Sequence, residues 1–369
     1  MSVAILYRDE LKEYDFGPGH PFRSDRYELF PQFLQSRCPP DSRYQIVAAD
    51  WAKEEDLLTI CDKDYIDFNR EYFQAAYGGW ISYYENFSRY QSLDNKPVGS
   101  PGKIEEAARL IVGQAKMACD LVQQGKYDKV ISIGGGMHHA KRRSGEGFCI
   151  YNDVAFAVAY LTQKYHLERI LVLDTDAHAG NGTAEYLRCS SNTLFIDIHQ
   201  DPRTIYPGTG FATDIGAEGG KGHTVNIPMP VYSGNDSFRL AFDEIILPLT
   251  REYQPQIIIR NGGSDPHFND GLTYLGMTVA GFRMMGEKVR EMAGVCGGKQ
   301  IDLLASGYNK TILPYAWLSL MGGVADFPIQ VEEPEPVPPQ YAIDGALPET
   351  QDVLEIVRGC QRQFWSSLR

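Results

Sequence analysis

The chain has 369 residues, 43% of them hydrophobic, and a formal net charge of -13. This length can bury a large core, as one large α/β domain or as two smaller ones, and the acidic balance argues against nonspecific binding to nucleic acid or to anionic membranes. Seven scattered cysteines without a CxxC spacing argue against a disulfide framework or a cysteine zinc site. The first residues lack the pattern of a signal peptide, and no charge-free stretch approaches membrane-spanning length, so we expect a cytoplasmic protein.

Short aliphatic runs alternate with segments of helical periodicity. We predict strands at residues 3–7, 130–133, 170–173, 194–199, 257–259 and 301–305. We predict helices at residues 104–124, 153–164 (with Asn152 or Asp153 as N-cap), 182–188, 235–253 and 279–293. This alternation is typical of a parallel sheet with helices on both faces, and we therefore prefer a single α/β domain over residues 1–369.

Four segments fall outside this alternation. Residues 17–26 are rich in Gly, Pro and His and predict a loop. Residues 62–100 contain many Tyr, Phe and Asn but few apolar runs, and we interpret them as a large loop region near the site. Residues 327–348 are rich in Pro, Glu and Val and predict an extended surface segment. Residues 352–368 predict a final amphipathic helix.

Three polar clusters stand where predicted strands end. They are GGGMHH at 134–139, DTDAH at 174–178 and NGGSD at 261–265. Open α/β sheets place their sites at the carboxyl ends of the strands, so these clusters should meet at one rim. Such a set of Asp, His and Gly can bind a divalent metal and move protons, which makes an enzyme the leading hypothesis.

The second and third clusters contain a candidate metal site. Asp176 and His178 alternate on an extended segment, so their side chains point the same way, and Asp265 ends another strand. Catalytic zinc sites keep three protein ligands and one open position. Each residue alone has a structural alternative, as a helix cap or a satisfied core group. Three clusters at three strand ends favour the metal site.

Two further groups can contribute to catalysis. His138 and His139 follow three glycines, which permit a tight turn, and two imidazoles near a metal can divide the roles of general base and electrostatic helper. The alternative is weak metal binding or chance. Tyr308 follows another predicted strand, and its hydroxyl can donate to a developing oxyanion. For Tyr308 taken alone we favour a packing role.

The motifs GGGMHHA, GEGFCIYNDVAFA, LVLDTDAHAGNGT, IYPGTG, NGGSDPHFNDGL and ASGYN, in this order, resemble the blocks of the zinc-dependent histone deacetylase family. That family includes deacetylase-like amidohydrolases and acetylpolyamine amidohydrolases of bacteria and archaea. EYDFGPGHPFRSDR also resembles its amino-terminal block, so the resemblance covers residues 3–325. It implies an arginase-like α/β fold with helices on both faces of the sheet.

The resemblance implies roles for matching positions in the catalytic centre. The zinc ligands match Asp176, His178 and Asp265. The catalytic pair matches His138 and His139, with His139 as the base that activates water and the acid that protonates the leaving amine. The hydrogen-bond partners of this pair match Asp174 and Asn181. The tyrosine that polarises the carbonyl matches Tyr308.

The resemblance also implies surrounding features. The walls of the acyl-lysine tunnel match Gly147, Phe148 and Tyr206. An apolar rim residue matches Leu272, and an arginine of the internal channel matches Arg26. A potassium or sodium site, formed mostly by backbone carbonyls, matches Asp174, Asp176, His178, Asp197 and Ile198.

Several positions depart from the family pattern. Ala179 replaces the second His of DxDxHHGNGT, from which we expect a change in packing. Asn181 stands where many members have Asp, so His139 should be the weaker base because it lacks a partner charge. Leu272 argues against the polyamine branch, which would carry an acidic gate there. The rim aspartate that grips the substrate backbone has no assigned position, because residues 71–100 diverge.

These expectations describe a zinc-dependent amidohydrolase that removes acetyl groups from lysine side chains of proteins or peptides. One alternative is deacetylation of small acetylated amines or polyamines. Another is a binding module that kept the fold and lost catalysis, which the complete set of ligands, histidines and tyrosine argues against. The natural substrate, the acyl chain length, the choice between zinc and iron, and the oligomeric state stay open.

Overall fold

A computed structural model describes residues 3–39, 43–80 and 86–369. Within these residues, eight strands form one all-parallel sheet in the order β2-β1-β3-β8-β7-β4-β5-β6. The strands are β1 (Val3–Leu6), β2 (Tyr44–Val47), β3 (Lys129–Ile133), β4 (Ile170–Asp174), β5 (Thr193–Gln200), β6 (Thr224–Met229), β7 (Ile257–Gly262) and β8 (Gln300–Leu304). The α/β class predicted from the sequence is confirmed.

Helices connect the strands. They are α1 (Arg26–Arg37), α2 (Glu54–Leu57), α3 (Lys63–Tyr77), α4 (Phe87–Tyr90), α5 (Ile104–Gln123), α6 (Asp153–Tyr165), α7 (Asn181–Leu187), α8 (Asn235–Ala241), α9 (Leu247–Tyr253), α10 (Val279–Gly294), α11 (Leu313–Ala325), α12 (Pro339–Ala342) and α13 (Leu347–Gln361). A π-helical stretch at Phe242–Ile246 joins α8 to α9, so the helix predicted at 235–253 is continuous but irregular.

The burial of the central strands shows that the sheet is covered on both faces. Every residue of β3, β4, β7 and β8 is buried. Because successive side chains of a strand point to opposite faces, complete burial requires packing on both. Runs such as Ile257–Ile259 therefore need no polar alternation, and each fully buried aliphatic side chain contributes about 1.5–3 kcal/mol to folding.

The interpretation of residues 62–100 as a large loop region is wrong for much of that segment. Helix α3 occupies Lys63–Tyr77, and its inner face buries aromatic side chains such as Tyr65 and Tyr72. The helix was missed because aromatic residues, rather than Leu or Ala, form its apolar face. Residues 81–85 of the same segment lie outside the described residues.

The carboxyl-terminal part is more structured than its composition suggests. The predicted surface segment at 327–348 contains α12, and its first residue, Phe327, is buried. The final helix spans Leu347–Gln361, so it begins five residues before and ends well before the predicted 352–368. Trp365 beyond it is buried and donates a hydrogen bond to the Gly222 carbonyl at 2.8 Å.

The sequence reading also missed β2, β6, α1 and α11. Strand β2 lies at the sheet edge with its middle residues exposed, and β6 contains Pro228, which weakens a strand pattern. Across the described part of the chain, none of the helices combines the length and apolar character needed to cross a bilayer.

Candidate active site

Three strands, β3, β4 and β7, deliver the three polar clusters to one edge of the sheet. Strands β3, β8, β7 and β4 are adjacent, and Asp174 at the end of β4 lies opposite Asn261 of β7. All four strands are parallel, so their carboxyl ends face the same side. The clusters at 134–139, 174–178 and 261–265 therefore meet, as the sequence predicted.

Three buried side chains form a metal-binding group. One ligand atom from each of Asp176, His178 and Asp265 lies within 4.8 Å of the others. His178 Nδ1 is 3.0 Å from Asp176 Oδ1 and 3.1 Å from Asp265 Oδ2. Ser306 donates its hydroxyl to the other oxygen of Asp265 at 2.7 Å, which holds that carboxylate in place.

The charges of this group fit a divalent cation. Burial and the neighbouring charge of Asp176 raise the pKa of Asp265 to about 8. Two carboxylates packed this closely repel each other, and a cation between them replaces repulsion by attraction. One imidazole nitrogen and two carboxylate oxygens are ligands that zinc accepts, and three protein ligands leave a coordination position for water or substrate.

His138 is held by a buried carboxylate. Its Nδ1 is 2.8 Å from Asp174 Oδ2, which also accepts from Asn261 Nδ2 at 2.9 Å. Burial opposes a positive charge on His138, but the carboxylates of Asp174 and Asp176 outweigh it and raise the pKa of His138 to about 9. His138 is therefore suited to carry charge beside the reacting groups.

His139 has the opposite electrostatic setting. Its Nδ1 is 2.7 Å from Asn181 Oδ1, a neutral partner. Burial, together with positive charge on His138 and His178, lowers the pKa of His139 well below its usual value. The rings of His138 and His139 are 4.0 Å apart between centroids, so two adjacent imidazoles differ sharply in basicity.

A residue that sequence reasoning treated only as a candidate helix cap anchors the histidine turn. Asp153, the first residue of α6, accepts from the backbone N–H of Gly136 at 2.9 Å and of Met137 at 2.7 Å. Asn152 is the actual N-cap and accepts from Ala155 N at 2.8 Å. The dipeptide Asn152-Asp153 thus starts the helix and fixes the turn that presents His138.

Tyr308 lies beside the metal-binding group. Its ring centroid is 6.3 Å from that of His178, and its backbone N–H donates to Asp270 Oδ2 at 2.7 Å. Burial and nearby carboxylates raise the pKa of Tyr308 well above its usual value, so its hydroxyl keeps its proton. Gly307 has a φ of 123°, which favours glycine, and this turn sets the direction of the tyrosine.

Aromatic residues flank the approach to His139. The Tyr206 ring is 5.1 Å from the His139 ring, and the Phe148 ring is 5.9 Å from the Tyr308 ring. Gly147 packs against His139, and Tyr14 donates its hydroxyl to the Phe148 carbonyl at 2.6 Å. The structure therefore brings two of the three predicted wall residues to His139 and the third, Phe148, to Tyr308.

The remaining predicted positions differ in burial. Leu272 is 38% exposed at the surface, whereas Arg26 is buried and donates to the Ala305 carbonyl at 2.5 Å. Asp94, which the sequence did not single out, accepts from the Gly147 N–H at 2.8 Å. It brings a carboxylate of the diverged segment to a predicted wall residue, and only the fold reveals this contact.

The predicted monovalent-cation positions also converge. Asp174 of β4 lies opposite Asp197 of β5 in register, and Ile198 follows Asp197. The carboxylate of Asp197 accepts a hydrogen bond from the Gly180 N–H at 2.9 Å and lies 2.7 Å from His199 Nδ1. The resemblance implies that a cation here would be held mostly by backbone carbonyls.

The geometry of these side chains defines a class of protein. A buried group that fits a divalent cation stands beside a neutral imidazole, a protonated phenol and an aromatic-lined approach. These are the components of metal-assisted hydrolysis of a bond with a polar carbonyl.

Comparison with known proteins narrows this class. Residues 20–324 match the histone deacetylase domain. The chain is 33% identical over 333 residues to the acetoin utilization protein AcuC of Staphylococcus aureus (strain COL), covering 89% of this chain and 83% of that protein. It is 31% identical to a probable deacetylase of Archaeoglobus fulgidus over 100% of both chains. The chain belongs to the histone deacetylase family and is a hydrolytic deacetylase by that membership.

A solved structure supports the fold. The crystal structure of the HD domain of HDA15 superposes with a TM-score of 0.82, covering 100% of this chain and 97% of that one, at 24% sequence identity. The arginase-like α/β fold predicted from the sequence motifs is confirmed. The family is zinc-dependent in general, in agreement with the donor set of the metal-binding group.

Proposed function

We propose that this protein is a zinc-dependent deacetylase that removes acetyl groups from lysine side chains of proteins or peptides. The observation that carries the proposal is the placement of both Tyr308 and His139 beside the metal-binding His178, with ring centroids 6.3 and 6.1 Å from it. A carbonyl brought to the metal-binding group would lie between a hydrogen-bond donor and a base.

The side chains have distinct roles in this proposal. A zinc ion held by Asp176, His178 and Asp265 would polarise the carbonyl and acidify water. His139, which its lowered pKa keeps neutral, accepts a proton from the attacking water and returns it to the leaving amine. The Tyr308 hydroxyl donates to the carbonyl oxygen as negative charge develops there.

The partners of the two histidines complete this assignment. Asp174 keeps His138 charged, and Asn181 orients His139 without adding charge. In addition, we propose a structural potassium or sodium ion at the backbone carbonyls of Asp174, Asp176, His178, Asp197 and Ile198. Its expected role is to hold the end of β4 in the conformation that presents the metal ligands.

Features at the outer end favour a peptide-borne substrate. Tyr206, Leu272 and Tyr274 expose 44%, 38% and 59% of their surfaces, and Leu272 offers no charge to a polyamine. An apolar approach suits the methylene stem of an acetylated lysine, which is neutral at its tip. Asp94 at the wall can accept hydrogen bonds from a peptide backbone.

Turnover measurements test this proposal. Zinc-loaded protein should hydrolyse acetyl-lysine peptides with a higher kcat/KM than N-acetylated polyamines, and Asp176→Ala should hydrolyse neither. A reversed preference would favour the small-amine alternative. Tight binding of acetyl-lysine peptide without turnover by metal-loaded protein would favour the silent binding module.

A further inference from the structure

A carboxylate outside the sequence-predicted site contacts the partner of the base. Glu146 Oε1 accepts a hydrogen bond from Asn181 Nδ2 at 2.5 Å, while Asn181 Oδ1 faces His139 Nδ1. Lys141 Nζ lies 3.1 Å from the same Glu146 oxygen. The Lys141 and Glu146 side chains are 27% and 22% exposed, so their ion pair is only partly open to water.

The chemistry of these groups fixes the direction of every hydrogen bond. An ionised carboxylate only accepts, so Asn181 must turn its amino group to Glu146 and its carbonyl oxygen to His139. An amide oxygen also only accepts, so His139 Nδ1 must carry a proton. A neutral imidazole protonated at Nδ1 has its lone pair at Nε2, on the far side of the ring.

We propose that Glu146 is a positioning residue for the deacetylase reaction, which selects the Nδ1–H tautomer of His139 by orienting the Asn181 amide. The inference rests on the role proposed above for His139 as the base. A carboxylate at position 181, as many members of the family have, would accept from Nδ1 in either orientation. An amide has two different ends, and Glu146 decides which end faces His139.

Without Glu146 the amide of Asn181 can turn over. Its amino group would then donate to His139 Nδ1, which would have to carry the lone pair. The proton would move to Nε2, and the imidazole could no longer take a proton from water on the substrate side. The hydrogen bond between Glu146 and Asn181 thus controls the fraction of enzyme molecules in which His139 can accept a proton from water, rather than the affinity for substrate.

The backbone holds Glu146 in place for this contact. The Cys149 N–H donates to the Glu146 carbonyl at 3.0 Å, closing a tight turn. The two central residues, Gly147 and Phe148, have positive φ values of 58° and 66°. The turn therefore places Glu146 at Asn181 and Phe148 on the wall of the approach together.

The first experiment measures the tautomer directly. In zinc-loaded protein with isotope-labelled histidine, the side-chain nitrogen chemical shifts of His139 report which nitrogen carries the proton, with His139→Gln used for assignment. Wild type should show Nδ1–H, and Glu146→Ala should show a substantial fraction of Nε2–H. Glu185→Ala is the matched control, because it removes a carboxylate from the cavity of about 650 Å³ that Asn181 also borders. It should leave the tautomer unchanged.

Kinetics provide a second readout. Glu146→Ala should lower kcat by about 10- to 100-fold, the size of effect seen when a hydrogen-bond partner that orients a metal-ligating histidine is removed. Glu146→Gln keeps the shape and can present either its oxygen or its amino group, so it should lie between wild type and Glu146→Ala in both tautomer and kcat. It also serves as the test variant if Glu146→Ala does not fold.

A double substitution gives the sharpest test. Asn181→Asp alone brings two carboxylates together, because Glu146 already lies at that position. Glu146→Ala should therefore lower kcat in the wild-type background and raise kcat in the Asn181→Asp background. This reversal of sign distinguishes orientation of the amide from general stabilisation of the fold, which would make Glu146→Ala harmful in both.

The outcomes separate this inference from the proposed function. An unchanged His139 tautomer in folded Glu146→Ala and Glu146→Gln, or harm from Glu146→Ala in both backgrounds, would overturn the positioning role. A wild-type protein that hydrolyses no acetylated amine would instead refute the proposed function. The tautomer measurement needs no substrate and stands in either case.

Discussion

Gly147 packs so closely on the ring of His139 that a Cβ at position 147 would overlap the imidazole. Its φ of 58° also lies in the left-handed region that favours glycine. One glycine therefore satisfies both the tight turn of the tunnel wall and the position of the base.

Gly147→Ala should displace His139 and lower kcat strongly while the fold persists. A shift of a catalytic group by about 1 Å can cost about 100-fold in rate. The check is kcat on an acetyl-lysine peptide, with thermal unfolding measured in parallel. Gly345→Ala is the control, since no atom lies within 4 Å of its Cβ position, and it should retain wild-type kcat. Wild-type kcat in folded Gly147→Ala would show that the contact is unimportant.

Tyr308→Phe tests the hydroxyl alone. If Tyr308 donates to the developing oxyanion, its loss should lower kcat by about 100- to 1,000-fold, the effect of removing one such donor. KM should change much less, because the metal and the aromatic approach remain. The variant should keep its zinc, which metal analysis can verify. A kcat close to wild type would return Tyr308 to a packing role.

The pH dependence of kcat/KM tests the assignment of His139 as the base. The neutral form is required, so activity should fall as pH decreases through the pKa of His139. Burial, together with positive charge on the adjacent His138, lowers that pKa well below its ordinary value of 6.5. The acid limb should therefore lie well below pH 6.5. An acid limb at or above 6.5 that is assigned to His139 would contradict this environment.

The motifs predicted which inner side chains lie together because their spacing is local. Asp176 and His178 are two residues apart on an extended segment, and strand ends place Asp265 and the histidine pair beside them. The contacts that were missed are between distant segments. Asp94 reaches Gly147 across 53 residues, and Glu146 reaches Asn181 across 35. Neither pairing has a periodic or motif signal, so only the fold reveals it.

The contact between Glu146 and Asn181 changes what is expected of a substitution at position 181. From the sequence alone, Asn181→Asp should raise the pKa of His139 and move the acid limb to higher pH. The structure places Glu146 against the same side chain, so the single substitution creates a carboxylate pair. The increase in the pKa of His139 is expected only when Glu146 is also removed.

Metal dependence is the central claim, and one measurement tests it most directly. The kcat on an acetyl-lysine peptide should be compared between exhaustively chelated protein of verified metal content and the same sample after addition of zinc. The buried group of Asp176, His178 and Asp265 predicts loss of turnover on chelation and recovery with zinc. Asp176→Ala should bind little metal and show no recovery. Full turnover by protein shown to contain no metal would contradict the account.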